Sequence, residues 1–133
     1  MSLVRVATAL ILDDKKRVLF GVRRTDKRFP WHSETPGGKL EAGESFEGAL
    51  RRELLEELGV DSTNEDFVGR RVIALEDTLE VRMYRVILHG IPQALDHYEL
   101  LYRHPRDLLG RAPCTPAFYA LYKPMAEYIK RLT

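Results

Sequence analysis

The 133-residue chain has room for a single compact unit and little more. Its 44% hydrophobic and 31% charged residues are enough to build a core, which excludes a disordered tail and a fibrous protein. With 21 Lys+Arg against 20 Asp+Glu the formal charge is +1, so no global field draws the chain to a nucleic acid polymer or an anionic membrane, and recognition must rest on local clusters.

The opening MSLVRVATALIL is apolar but short, and it runs into DDKKR without a small-residue cleavage site. It reads as a first strand. No stretch approaches the roughly 18 apolar residues that span a bilayer, and the expectation is a cytoplasmic protein. Residues 4–12 and 17–22 are β-branched or apolar runs around DDKK, predicting a hairpin. Pro30, Pro36, Gly37 and Gly38 then predict a loop without regular structure. Ser45 as N-cap, Glu47 in the first turn and Gly59 as stop predict a helix over 46–58. Residues 67–75 and 80–89, the second alternating as VRMYRVIL, predict two antiparallel strands turned by EDT. HPRDLLG suggests one helical turn, and the lone Cys114 is a packed thiol with no zinc spacing around it. Residues 116–132 predict a terminal helix with an inward stripe of Tyr119, Tyr122, Met125, Ala126 and Ile129, and with a kink or a late start at Pro124. The sum is one α/β domain over 1–133, a mixed sheet with helices on its faces.

The helix over 46–58 poses an electrostatic problem. Phe46, Ala49, Leu50, Leu54 and Leu58 mark its inward arc, and Glu53 and Glu57 fall inside or beside that arc, one turn apart. Glu56 follows Glu53 by three, so the three carboxylates share about a third of the circumference and are expected to avoid open solvent. Crowded, half-buried like charges destabilise a helix unless a cation compensates. Arg51 and Arg52 can neutralise part of the charge. Mg²⁺ or Mn²⁺, which favour carboxylate, water and phosphate oxygens, would do so better. The alternative is a solvated acidic face with i, i+4 ion pairs to arginine.

Gly38, five residues, Glu44, seven residues, then Arg52, Glu53, Leu54, one residue, Glu56, Glu57, one residue, Gly59 and Val60 resemble the Nudix box at every specified position. PGGKLEAGES and the upstream Trp31 are similar to the MutT-type branch. The resemblance implies the Nudix fold, an α/β/α sandwich with a mixed β-sheet, and divalent-metal hydrolysis of a nucleoside diphosphate linked to a further group. It implies Glu53, Glu56, Glu57 and the Gly38 carbonyl as ligands to Mg²⁺ or Mn²⁺, with Glu56 or Glu53 as base. Arg52 then braces a carboxylate through a forked ion pair, Glu44 and Gly59 support the box, and Gly37 and Gly38 let backbone approach phosphate. Glu99, in ALDHYELLY, resembles a downstream acid that serves as further metal ligand or base, although Tyr102 stands where the family segment has tryptophan.

Arg23, Arg24 and Lys39 are candidates for phosphate, and Trp31 and Phe29 for stacking on a base. The chain departs from the branch where the substrate is read: Thr35 precedes Pro36, Glu34 matches the acid before it, and RAPCTPAFYALYKP lacks the base-reading asparagine of enzymes that clear oxidised guanine nucleotides. The markers of ADP-ribose and dinucleoside polyphosphate branches are missing too. The implied activity is hydrolysis of a nucleoside triphosphate to monophosphate and pyrophosphate by a monomer or homodimer. A nucleotide sugar or dinucleoside polyphosphate as substrate, or a non-catalytic nucleotide sensor, are the alternatives.

Overall fold

The computed structural model describes residues 2–132 of the chain. Strand β1 (Leu3–Leu10) alternates its side chains, with Ala7 and Ala9 on one face and Leu10 on the other. It lies inside a four-stranded sheet ordered β4 (Gly37–Lys39), β1, β6 (Thr78–His89), β5 (Asp61–Ala74). β1 and β6 run parallel while β4 and β5 pair antiparallel with their neighbours, so the sheet is mixed as expected. A parallel neighbour needs a crossover. Helix α1 (Phe46–Leu58) supplies it together with β5.

The period-two alternation of the central strands decides which helix each residue meets. Ala7, Ala9, Tyr84 and Val86 receive Phe46, Leu50, Leu54 and Leu58 of α1. Leu10, Val81 and Met83 receive Phe118, Leu121, Met125 and Tyr128 of the terminal helix, α3 (Pro116–Arg131). The result is a sheet sandwiched between helices. The remaining elements are β2 (Val18–Val22), β3 (Ser33–Glu34), β7 (Glu99–Arg103) and the short α2 (Pro105–Leu108), with the strands ordered β3, β2, β7 in a second sheet. No helix of the described residues is long and apolar enough to cross a membrane.

Several expectations are corrected. The hairpin around DDKK closes at its base, where Leu12 faces Val18 and Asp13 N donates to Arg17 O at 3.0 Å, and then opens. Both edges of β1 are taken by β4 and β6, so β2 pairs with β3 and β7 instead. The loop of prolines and glycines holds two short strands, and Gly37 and Gly38 lie opposite Thr8 and Ala7. β5 begins at Asp61, earlier than its apolar run, because bulges between Asn64/Asp66 and Phe67/Gly69 break the alternation that would reveal it. The stripe on α3 is rotated: Phe118, Leu121, Met125 and Tyr128 are buried, while Tyr119 is 51% exposed. The helix starts at Pro116 and continues through Pro124, which packs against Gly69 at the second bulge.

Candidate catalytic centre

Local chemistry sets the helix that carries the box. Ser45 Oγ accepts from Gly48 N at 3.0 Å at the start, and Gly59, at φ 71°, ends it by donating to Leu55 O at 3.0 Å. Between these points Arg52 gathers its neighbours. Its Nε and Nη2 donate to the two oxygens of Glu44 at 2.7 and 2.8 Å, the forked geometry of a bidentate pair. Nη1 donates to Glu53 Oε1 at 2.9 Å and to Glu56 Oε2 at 3.3 Å, and Nη2 also reaches Lys39 O at 3.1 Å. Glu44 in turn accepts from Glu41 N at 2.7 Å. The Arg52 guanidinium, then that backbone N–H, hold the Glu44 carboxyl down to about 2. The loop before α1 is thereby locked to the helix.

The far side of this bracket opens into a cleft of about 510 Å³. Gly38 of β4, Glu53 and Glu57 of α1, Arg23 at the end of β2, Glu34 of β3 and His97 ahead of β7 all line it. The Glu53 carboxylate rests on Gly38 so closely that a Cβ there would stand 2.4 Å from its carboxyl carbon. Glu57 is 5% exposed, and its Oε2 has no hydrogen-bond partner. Burial, then the neighbouring Glu53 carboxyl through its polar contact and its charge, and after it the charges of Glu34 and Asp96, push the Glu57 carboxyl far above the usual range. His97 is equally buried. Its Nε2 meets Glu34 Oε2 at 2.9 Å, and its unpartnered Nδ1 lies 3.9 Å from Glu57 Oε1. Arg23 Nη1 donates to the other oxygen of Glu34 at 2.9 Å. A chain of polar groups thus runs Arg23, Glu34, His97, Glu57, its ring member seated against Gly21, where a Cβ would lie 2.4 Å away.

The expected residues do not all converge. Glu53, Glu57, Gly37, Gly38, Lys39 and Arg23 line the cleft. Glu56 does not: its side chain is 59% exposed, a correction to the idea that all three carboxylates shun solvent, because it lies about 100° around the helix from Glu57. Glu99 is also outside the lining, exposed on β7 opposite Val22, while Asp96 and His97 of the same segment line it. β7 begins at Glu99, two residues after His97, and that step carries the chain past the cleft. From ALDHYELLY the sequence singles out Glu99 and misses His97, two residues before it in the same segment. Trp31 is half exposed, its ring edge-on to Tyr98 at 4.8 Å and away from the cleft, whereas Phe29 lines it. Arg24 pairs outward with Asp26 at 3.5 Å.

Two observations fit this donor set to a hard divalent cation: a buried carboxylate oxygen without a partner, and a glycine whose missing Cβ leaves room against a second carboxylate. The oxygens present are those of Glu53, Glu57 and the Gly38 backbone, with Glu56 adjacent on the same arginine. Among the described residues no three His, Cys, Asp or Glu side chains form a ready-made cage, so the set is carboxylates plus backbone.

The NUDIX domain family model matches residues 2–106. A Mycobacterium tuberculosis protein provisionally named 8-oxo-dGTP diphosphatase 2 is 41% identical over 104 residues, covering 75% of this chain and 72% of its own. The CTP pyrophosphohydrolase of Escherichia coli K12 is 34% identical over 125 residues, 88% of this chain and 87% of its own. Among solved structures, the E. coli ORF135 protein superposes with a TM-score of 0.84 at 30% identity, over 98% of this chain and 94% of that one. A MutT NUDIX hydrolase from Burkholderia pseudomallei shares the fold, with a TM-score of 0.80 at 22% identity over 95% and 98%.

Proposed function

Because the chain belongs to the NUDIX domain family and is a MutT-like pyrophosphohydrolase, we propose that its substrate is a nucleoside triphosphate, cleaved to monophosphate and pyrophosphate with Mg²⁺ or Mn²⁺. The observation that carries this reading is the contact of Glu53 with the bare Cα of Gly38 beside the orphaned oxygen of Glu57. Nudix hydrolases generally use a divalent metal. Glu53, Glu57 and the Gly38 carbonyl would hold it here, with Glu56 joining them by exchanging its 3.3 Å contact to Arg52. A dication held by these oxygens would supply positive charge to the phosphate oxygens.

The chain's own residues do the rest. Arg23 and Lys39, both lining the cleft, bind phosphate oxygens. Gly37 and Gly38 allow backbone to approach the phosphate chain without a side chain between. A carboxylate of Glu53 or Glu56 takes the proton of the attacking water as the new P–O bond forms and pyrophosphate leaves. Arg52 and Glu44 keep the helix and loop in register while this occurs. The relatives' named substrates, 8-oxo-dGTP and CTP, support a triphosphate.

A panel of nucleoside triphosphates, nucleotide sugars and dinucleoside polyphosphates with Mg²⁺, scored for the phosphate product released, tests the proposal. Pyrophosphate from triphosphates is expected. Turnover confined to sugars or dinucleotides, or orthophosphate as the product, would refute it.

A further inference from the structure

Granted the triphosphate reading above, we infer that Asp77 selects the base, accepting hydrogen bonds from an exocyclic amine and turning away uracil and thymine. The cleft has two unlike ends. Around Gly38 it is lined by the carboxylates, Arg23 and Lys39, with Val6 opposite Lys39; toward the β5–β6 turn it is lined by Val4, Leu75 and Leu79. Strand register gives the direction. β1 places Ala7 opposite Gly38, then Val4 beside Leu79 and Leu3 beside Thr78. Four residues of strand from Ala7 to Leu3 span about 13 Å, enough to separate the phosphates from the base of one nucleotide. Charged groups suit the phosphate end, and an aliphatic slot suits a flat, weakly polar ring.

Asp77 is the one charged side chain that the β5–β6 turn contributes to this lining. Its Oδ1 accepts from Ser2 Oγ at 2.9 Å, and no described cation pairs with it. Oδ2 has no hydrogen-bond partner among the described residues. Leu75 N donates to Asp77 O at 2.9 Å, and Thr78 N to Ser2 O at 3.3 Å, so the turn is held by backbone bonds that do not use the carboxylate. A carboxylate offers acceptors only. Phosphate would be repelled by it, whereas the amine of cytosine, adenine or guanine can donate to it. At the 4-position uracil presents a carbonyl where cytosine presents its amine, which sets acceptor against acceptor there and leaves uracil only its N3–H as a donor on that edge.

CTP and UTP differ at that one edge, so they make the test. For the unmodified protein kcat/KM should favour CTP on the order of 10- to 100-fold. Asp77→Asn, which keeps the turn and should melt like the parent, is expected to reduce the ratio to about threefold or less, chiefly through KM for CTP. Calorimetric binding of the α,β-methylene analogues of the two nucleotides reads the same preference without turnover. Equal binding of the two by the unmodified protein, or a preference that survives Asp77→Asn, would overturn the inference. Selective binding without pyrophosphate release would instead sink the proposed reaction and leave the base reader standing.

Discussion

Gly37 and Gly38 are neighbours in β4, yet adding one methyl group to each should do opposite things. A Cβ on Gly38 would lie 2.4 Å from the carboxyl carbon of Glu53 and 2.6 and 2.7 Å from its oxygens. Carbon contacts settle near 3.5–4.0 Å, so the carboxylate must shift by about 1 Å. It sits at the end of a flexible side chain, and the strain should cost about 1 kcal/mol, part of which is offset by the lower entropy of an unfolded chain with alanine in place of glycine. Gly38→Ala should therefore melt within about 5 °C of the parent. Its catalytic loss should be large, since misplacing an active group by about 1 Å can lower kcat/KM about 10²-fold. Mn²⁺ affinity should fall about tenfold or more. Gly37 has φ 153°, and a Cβ there would meet the Ala7 carbonyl oxygen at 2.0 Å, a backbone atom that cannot step aside. Gly37→Ala should break the β4–β1 pairing and cost about 3 kcal/mol or more. Melts in chelator, steady-state kinetics and Mn²⁺ titration of the two variants separate these outcomes. Parental activity in Gly38→Ala, or a defect in it explained wholly by unfolding, would refute the placement of Glu53 against this glycine.

Glu57→Gln should lower turnover by about 10²-fold or more yet leave the protein at least as stable in chelator, because it removes a buried carboxyl whose ionisation is opposed by burial and by Glu53. The sign follows from its raised value: the parent loses stability as pH climbs from the ordinary carboxylate range toward that value, and the Gln variant should not, so a lower melting temperature for Glu57→Gln across neutral pH would count against the assignment. Glu80 is buried and held to about 2 by its hydrogen bond to Arg70 and then by Arg82, with Arg5 also at 3.3 Å. A depressed carboxyl stabilises above its unfolded value, so stability should drop as pH falls from about 4.5 to about 2. Glu80→Gln should flatten that limb and lower the neutral melting temperature; an unchanged acid limb would exclude the triad of arginines as its cause. On α3, Phe118→Ala should cost about 3–5 kcal/mol and Tyr119→Ala less than about 1 kcal/mol, and denaturant midpoints in the reverse order would contradict the observed buried face.

The elements whose signals are local were legible. Helix α1 runs over Phe46–Leu58, the span marked by Ser45 and Gly59, because a cap and a left-handed stop depend only on adjacent residues. The β5–β6 pairing followed from alternation and a short turn. The rotated stripe of α3 was not legible: Tyr119 and Phe118 are both apolar enough to face inward, and it is Phe118 that packs in one core cluster with Val81, Met83 and Leu10. The divergence of β1 and β2 likewise depended on which strands occupied the edges of β1.

The box itself is a one-dimensional object. Apart from Gly38 on β4, its residues lie within one helix and the segments at its ends, so fixed spacing is enough to place Glu53 and Glu57 on one side and Arg52 beside them. The rest of the centre is assembled from distant segments. Glu34 meets His97 across 63 residues, and Arg23 meets Glu34 across 11, only because β2, β3 and β7 share a sheet whose order no local pattern encodes. Sheet pairing is a choice among many partners of similar propensity, settled by the packing of the whole core. That choice brought Asp96 and His97 into the cleft and left Glu99 on the outside.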